Sequence, residues 1–521
     1  MALHWRRVLE HEQGTPRIVP PANCQVALIY PNTYAVGMSS LGYQMVYRWI
    51  NEQPGALAER FFCEGIPALS VENQRPLEQF DLVAFSIAYE LDLLDVVRFL
   101  MENRVRLLAA ERDPKAEPII IAGGICLLVN RLPVYDLADV LVVGDGEGTV
   151  GQIVREWVVS GGDRRHFLQT IAPIEGIEVT EGACRRFGLD LPAAAISDPR
   201  SAASEQQLEV ENRKSKIEDR KSVRPHFVRS LDSADAFSAI VTRYTELGER
   251  CLVEIARGCP YGCRFCFLGH SLPYRPRPFE AVREMIERGR RLTPRFGLIA
   301  PAVGSHPDIG RICEWCLGEG LEISFSSLRL EDVTCDMLNL LAASGQRSLT
   351  IAPEAGSERL RQQLGKNLTN AHVIAFAAEA AARGLANLRM YFMVGLPTEQ
   401  REDIEAIARL VEATRRTAMA ARRDPQVSVR VEANVSVFVP KPGTPLAEWE
   451  TPSSAQIRKH LKRLGALLGR LDGVRLRMPS FAEAEAQRIL TWADRGVLRT
   501  LIETARSGGS WRHFVGLAGK K

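Results

Sequence analysis

Short apolar runs alternate with longer stretches of helical spacing along most of the chain. Residues 24–30, Cys-Gln-Val-Ala-Leu-Ile-Tyr, form the first such run and read as a buried strand. Leu41 to Ile50 then repeats its apolar residues at helical intervals. Further runs lie at Leu82–Ile87, Ile119–Ala122 and Val140–Val143, with a helical pattern from Leu91 to Leu108 among them. This alternation predicts a doubly wound parallel sheet of about five strands over residues 1–160. Residues 161–245 read as a linker region, because Ser, Glu, Lys and Arg dominate from Ser201 to Arg224 and a solvated segment follows from that composition. The alternation resumes over residues 246–446. Apolar or β-rich runs fall at Leu252–Ala256, Phe296–Pro301, Glu322–Ser326, Ser348–Ile351, Leu388–Val394 and Val431–Val439, each separated from the next by helical spacing. Six such units predict a partial (β/α)6 barrel, and residues 447–521 read as a helical extension. The fold class is therefore α/β.

Composition changes this picture little. The chain has 521 residues, 46% of them hydrophobic and 25% charged, with a net charge of +3, so nothing global argues for nucleic acid or an anionic membrane surface. No apolar run approaches the ~18 residues of a spanning helix, and the polar start Met1-Ala-Leu-His-Trp-Arg-Arg lacks a signal peptide's apolar core. A cytoplasmic location is the expectation, and in that compartment the eleven cysteines are thiols or metal ligands rather than disulfides.

The chemistry concentrates in Glu254-Ile-Ala-Arg-Gly-Cys-Pro-Tyr-Gly-Cys-Arg-Phe-Cys266. Cys259, Cys263 and Cys266 are spaced C-x3-C-x2-C directly after a predicted strand, and Gly258, Pro260 and Gly262 keep them on a loop. Three closely spaced thiolates can hold three irons of a [4Fe–4S] cube and leave the fourth open, as a catalytic cluster requires. The competing readings are a zinc knuckle and plain buried thiols. Zinc wants four ligands, usually in paired C-x2-C units, and only His270 stands near. Cys313-Glu-Trp-Cys316 is C-x2-C inside a predicted helix, where buried core cysteines are the expectation.

The triplet, with the aromatic Phe265 before its last cysteine, resembles that of the radical S-adenosylmethionine (SAM) enzymes. The resemblance extends to Ala352-Pro-Glu354-Ala-Gly-Ser357, to Asn387-Leu-Arg389-Met-Tyr-Phe-Met-Val-Gly-Leu-Pro-Thr-Glu399, to Phe438-Val-Pro-Lys-Pro-Gly-Thr-Pro445 and to Ser326-Ser-Leu-Arg329. It implies a [4Fe–4S] cluster on the three cysteines, SAM as a second cofactor, and an electron donor such as flavodoxin or ferredoxin. By the same resemblance Phe265, Glu354, Ser357 and Arg389 are SAM contacts, with Arg329 a weaker candidate. Ser357 reads equally well as a helix N-cap, and Thr398 to Glu402 as the cap of the next helix.

Glycines and small polar residues mark the predicted strand ends of the first domain: Gly37, Ser86, Gly123, Gly124, Gly144 and Gly146, with Glu147. Ligands of doubly wound sheets bind at such ends. In their order these residues resemble the cobalamin-binding domain found before many radical SAM cores, which implies cobalamin at Asn32, Tyr34 and the strand ends. One position departs from the family. Its first loop usually reads D-x-H-x-x-G, whereas this one reads Asn32-Thr-Tyr34-Ala-Val-Gly37, and a phenol that deprotonates only at about pH 10 is a poor cobalt ligand. The alternative is a degenerate domain that binds nothing or holds substrate. The resemblance implies methyl transfer to an unactivated carbon of a small-molecule or peptide substrate. The rivals are a radical SAM enzyme of another outcome and a non-catalytic metal- or nucleic-acid-binding module. The segment after the barrel lacks the alternating strands of the β-barrel that follows the core in transfer-RNA methylthiotransferases, which argues against that activity.

Overall fold

The computed structural model describes residues 2–14, 22–64, 68–191, 223–232, 235–325 and 328–519. The segment from Ser201 to residue 222, together with Ser326 and Ser327, lies outside them. The chain divides into two compact units. One comprises residues 1–230, 234–250 and 485–521, and the other residues 231–233 and 251–484.

The first unit is built on six strands: β1 (Cys24–Tyr30), β2 (Ala56–Phe62), β3 (Leu82–Ser86), β4 (Ile119–Gly123), β5 (Val140–Val142) and β6 (Ile177–Val179). Their order is β2-β1-β3-β4-β5-β6, parallel except for the last pair. Successive side chains point to opposite faces of a sheet, and the packing follows this period. Ala27, Ile29, Ile120 and Ala122 enter one apolar core, and Val26, Leu28, Ile119 and Ile121 enter the other. Both faces of the sheet are covered, as parallel sheets require.

β2 is not among the apolar runs of the sequence, and the reason is physical. Glu59 and Arg60 interrupt its run, yet both are fully buried because each is paired. Arg75 reaches Glu59 at 3.0 Å, and Arg60 is held by Glu12 at 2.8 Å and Glu72 at 2.6 Å. Two boundaries are corrected as well. Residues 161–191 are not linker, since they supply the helices Arg164–Ile171 and Glu181–Phe187 and the edge strand β6. The tail is not an appendage to the barrel either. From Glu485 onward it belongs to the first unit, where Ala486, Leu490, Val497, Leu498, Leu501 and Phe514 complete the core beside helix α1 (Asp92–Glu102). Asn130 Nδ2 donates to the carbonyls of Leu490 (3.1 Å) and Ala493 (2.8 Å), and Arg98 donates to Gly509 O at 2.7 Å.

The second unit carries β7 (Cys251–Glu254), β8 (Arg295–Ile299), β9 (Glu322–Phe325), β10 (Ser348–Glu354), β11 (Asn387–Val394), β12 (Arg430–Val437) and β13 (Val474–Arg477). All are parallel and adjacent in chain order, as β9-β8-β7 and β10-β11-β12-β13, and a bridge between Leu328 and Ile351 joins the halves. The six predicted strands are therefore those of an open (β/α) barrel. β13, inside the segment read as helical, adds a seventh. Along β10 to β12 the residues Leu349, Ile351, Leu388, Met390, Phe392, Val431, Ala433 and Val435 are buried and alternate with polar positions. Helices α2 (Arg401–Ala421) and α3 (Ser454–Leu468) pack on this part of the sheet.

Candidate active site

Gly258 opens the loop after β7 with φ near +73°, and a Cβ there would lie 2.2 Å from Pro273 O, so only glycine fits. The loop is then fastened to the segments that follow β10 and β12. Arg264 N donates to Leu364 O at 3.0 Å, and Leu446 N donates to Arg264 O at 3.1 Å. Phe265 packs against a small apolar cluster of Ala355, Leu360, Leu364, Met393, Leu396, Phe438 and Leu446. Its role in the structure is thus to anchor the loop. The Arg264 guanidinium lies 5.2 Å from the ring centroid of Trp449. Trp449 in turn lines an open cleft of about 770 Å³ with Pro397, Thr398, Glu399, Ser453 and Gln456.

Cys259, Cys263 and Cys266 are half-buried. Burial pushes the Cys259 and Cys263 thiols above their ordinary value, while Lys366 and Arg329 pull Cys263 back. Arg329 Nη1 donates to Cys263 Sγ at 3.7 Å, and its guanidinium stacks 3.7 Å from the Tyr261 ring centroid. Tyr261 hydroxyl donates to Asp332, and His270 Nε2 stands 3.1 Å from Cys263 O. Among the described residues no three His, Cys, Asp or Glu side chains converge as ligands of a single ion. Three thiols on one loop with cationic neighbours fit a cube instead, whose corners each take one thiolate.

Glu354 sits at the end of β10 with φ near +67°, a left-handed conformation rare for a residue with a side chain. Lys366 Nζ donates to its Oε1 at 3.0 Å and to Ala352 O at 2.7 Å. Lys366 is buried and was not a sequence candidate; in the isolated sequence it is one lysine beside a glycine, Gly365. Ser357 resolves as a cap. Its hydroxyl accepts from Leu360 N and donates to Asp403 at 2.5 Å. Within the stretch Thr398 to Glu402 read as the cap of α2, Gln400 is the capping residue, paired with Asp403 beyond it, whereas Glu399 is buried, accepting from Gly395 N and facing His460 Nδ1, both at 2.9 Å. Arg389 is not among the groups at the cluster loop. It lies on β11 five residues before the strand's end, roughly 16 Å along the strand, and faces Glu432 at 4.0 Å. Cys313 and Cys316 are fully buried in the helix Ile309–Gly318, and burial pushes both thiols up to about 12.

In the first unit the strand order reverses between β1 and β3, the switch point where ligands of such sheets bind. Asn32 and Asp92 meet there, Nδ2 to Oδ1 at 3.2 Å, with Ser86 and Gly123 paired across β3 and β4. Tyr34 does not face this crevice. It is buried among Trp5 and Phe62, its hydroxyl donates to Glu12, and burial raises its pKa far above the ordinary tyrosine value. Several predicted cofactor glycines are accounted for by packing within the protein. A Cβ at Gly37 would meet Phe62, one at Gly124 Ile87 O, one at Gly144 His226 O and one at Gly146 Trp49. Glu147 is buried.

A thiol triplet at the mouth of an open parallel barrel defines an enzyme that carries a catalytic iron–sulfur cluster. Residues 253–411 match the family described as Radical SAM superfamily, and residues 42–179 the one described as Radical SAM proteins, N-terminal. Together the two matches place the chain in the radical SAM superfamily. It is 27% identical over 481 residues to the uncharacterized protein MJ0966 of Methanocaldococcus jannaschii, covering 91% of this chain and 90% of that one. It is 24% identical over 265 residues to the tRNA-2-methylthio-N(6)-dimethylallyladenosine synthase of Corynebacterium efficiens, spanning 47% of this chain and 48% of the synthase. The chain thus spans about half the length of that synthase. Its fold is like that of the radical S-adenosylmethionine methyltransferase TsrM of Kitasatospora setae, solved with cobalamin and a [4Fe–4S] cluster. The TM-score is 0.56 at 15% identity, over 95% of this chain and 98% of TsrM. Among the described residues no helix is long and apolar enough to cross a membrane.

A charged donor at a cluster thiolate stabilises the reduced, more negative cluster. Replacing Arg329 with Gln is therefore expected to lower the cluster's midpoint potential by tens of millivolts, read in an EPR-monitored redox titration, with Arg329→Lys intermediate. An unchanged potential in R329Q would show that the contact with Cys263 does not tune the cluster.

Proposed function

We propose that the chain is a cobalamin-dependent radical SAM methyltransferase that places a methyl group on an unactivated carbon. The observation that carries this reading is the pairing, in one chain, of the cysteine loop with a doubly wound unit whose switch point carries Asn32 and Asp92. The likeness to TsrM over both parts supports it. Cys259, Cys263 and Cys266 are the cluster ligands, and Lys366 and Arg329 offset the thiolate charge at Cys263. Lys366 holds Glu354 at the strand end, beside the loop on which SAM would be held. The cluster, SAM and corrinoid together supply one-electron cleavage and methyl donation. The electron would come from a donor such as flavodoxin or ferredoxin. With Tyr34 turned into the core, its phenol is not available as a ligand, and the crevice at Asn32 and Asp92 would hold the corrinoid.

The test is anaerobic reconstitution of the full chain with iron, sulfide and hydroxocobalamin, then gel filtration and absorption spectroscopy. Stoichiometric corrinoid beside the cluster is expected. A cluster without corrinoid would favour the second reading, a radical SAM enzyme of another outcome such as sulfur insertion, for which the synthase relatives speak. Residues 447–519 hold four helices and one strand among the described residues, so this segment does not supply the β-barrel expected of transfer-RNA methylthiotransferases.

A further inference from the structure

The inner face of a small barrel is ordinarily filled by layers of branched apolar side chains. On β11 to β13 that face is polar. Register places Arg389, Glu432 and Arg475 side by side in one row, and Tyr391, Asn434 and Arg477 in the next. These are the positions alternate to the buried ones, so they occupy the face opposite the apolar packing.

Three guanidiniums there share one carboxylate. Glu432 lies 3.2 Å from Arg477 Nε and 4.0 Å from both Arg389 Nε and Arg475 Nε, and Asn434 Nδ2 donates to it at 3.4 Å. The arginine side chains are 55%, 71% and 57% exposed for Arg389, Arg475 and Arg477, while Glu432 is only 19% exposed. The arginines flank Glu432 from β11 on one side and β13 on the other, and a single carboxylate does not balance three cations. Tyr391, 45% exposed, adds a flat aromatic surface beside them.

We propose that this face binds the anionic group of the enzyme's small-molecule substrate, a carboxylate or a phosphate, by charge-assisted hydrogen bonds from Arg475, Arg477 and Arg389, with Tyr391 contacting the adjoining carbon skeleton. The planar fork of arginine suits both anions. The proposal names the substrate class for the radical SAM enzyme proposed above and rests on that reading.

The experiment is titration calorimetry on the anaerobically reconstituted full chain, with pyrophosphate, tricarballylate and a short single-stranded RNA as separate probes. Saturable binding of pyrophosphate or tricarballylate is expected, and whichever binds tells phosphate from carboxylate. Arg475→Gln with Arg477→Gln should weaken that binding by about tenfold or more. Glu432→Gln removes the competing carboxylate and should tighten it, a sign that misfolding would not produce. Release of 5′-deoxyadenosine from SAM without substrate, expected to be the same in R475Q/R477Q as in the natural chain, separates the two readings. Its absence from the natural chain sinks the enzymatic reading, whereas its presence with no anion binding, or with binding equal in the variants, overturns the anion site alone. RNA bound more tightly than both small anions would overturn the small-molecule class.

Discussion

Replacing Cys263 with alanine is expected to abolish both the cluster and SAM cleavage. Cys263 is the middle cysteine of the triplet and the one on which the surrounding charges converge, with Arg329 at its sulfur and Lys366 and Glu354 in electrostatic reach. Two thiolates on this loop leave two irons of a cube without protein ligands, and water has access because the loop is only half-buried. Iron and sulfide should fall from stoichiometric to background, the charge-transfer absorption should vanish, and 5′-deoxyadenosine release should drop by at least about three orders of magnitude, or ~4 kcal/mol of barrier. The apo fold should persist, since Cys263 enters neither core of the first unit nor the apolar cluster under Phe265. Full iron content in C263A would remove the loop from the chemistry.

The second large effect is one of stability. Deleting residues 485–521 is expected to unfold the first unit and spare the second. Leu490, Leu498, Leu501 and Phe514 are 0–3% exposed and lie in the same core as Val83, Phe85 and Leu94. Their burial contributes roughly 10 kcal/mol, comparable with the ~5–15 kcal/mol by which whole domains are stable. The deletion also leaves Asn130 without the Leu490 and Ala493 carbonyls, and Asp136 without Arg495. Limited proteolysis should cut the truncated chain within residues 22–191 while a fragment around 251–484 survives and still binds iron. The single change Leu501→Ala should cost about 2–5 kcal/mol and lower the first unit's melting temperature. A truncated chain whose first unit melts as before would show the tail to be an appendage.

Much of this architecture is legible in the sequence, and the parts that are not share a cause. β1, β3, β4 and β5 are largely buried apolar runs and the six barrel strands are apolar or alternating runs, so pattern alone finds them to within a few residues. β2 escapes because paired charges, Glu59 with Arg75 and Arg60 with Glu12 and Glu72, break the run in sequence while the fold satisfies them in space. β6 and β13 are short, and β13 alternates Arg475 and Arg477 with Val474 and Leu476, a pattern shared with a solvated segment. The return of the tail to the first unit is invisible because no local signal says which core an amphipathic helix joins.

The site divides the same way. The three cysteines lie close together in sequence, so their spacing alone identifies them. Lys366 and the Tyr261–Arg329–Asp332 group come together from separate segments, so only the fold unites them. Conversely Tyr34, Gly37, Gly124, Gly144 and Gly146 looked like cofactor positions because glycines at strand ends are ambiguous. Here they make room for Phe62, Ile87, His226 and Trp49, or in the case of Tyr34 fill the core.

The most direct measurement is anaerobic turnover of the reduced, cobalamin-reconstituted protein with SAM deuterated in its methyl group and a cell extract as the source of substrate. A product that carries the intact labelled methyl on carbon is expected, absent when C263A replaces the natural chain. Release of 5′-deoxyadenosine without any methyl-labelled product would contradict methyl transfer and leave a radical SAM enzyme of another outcome.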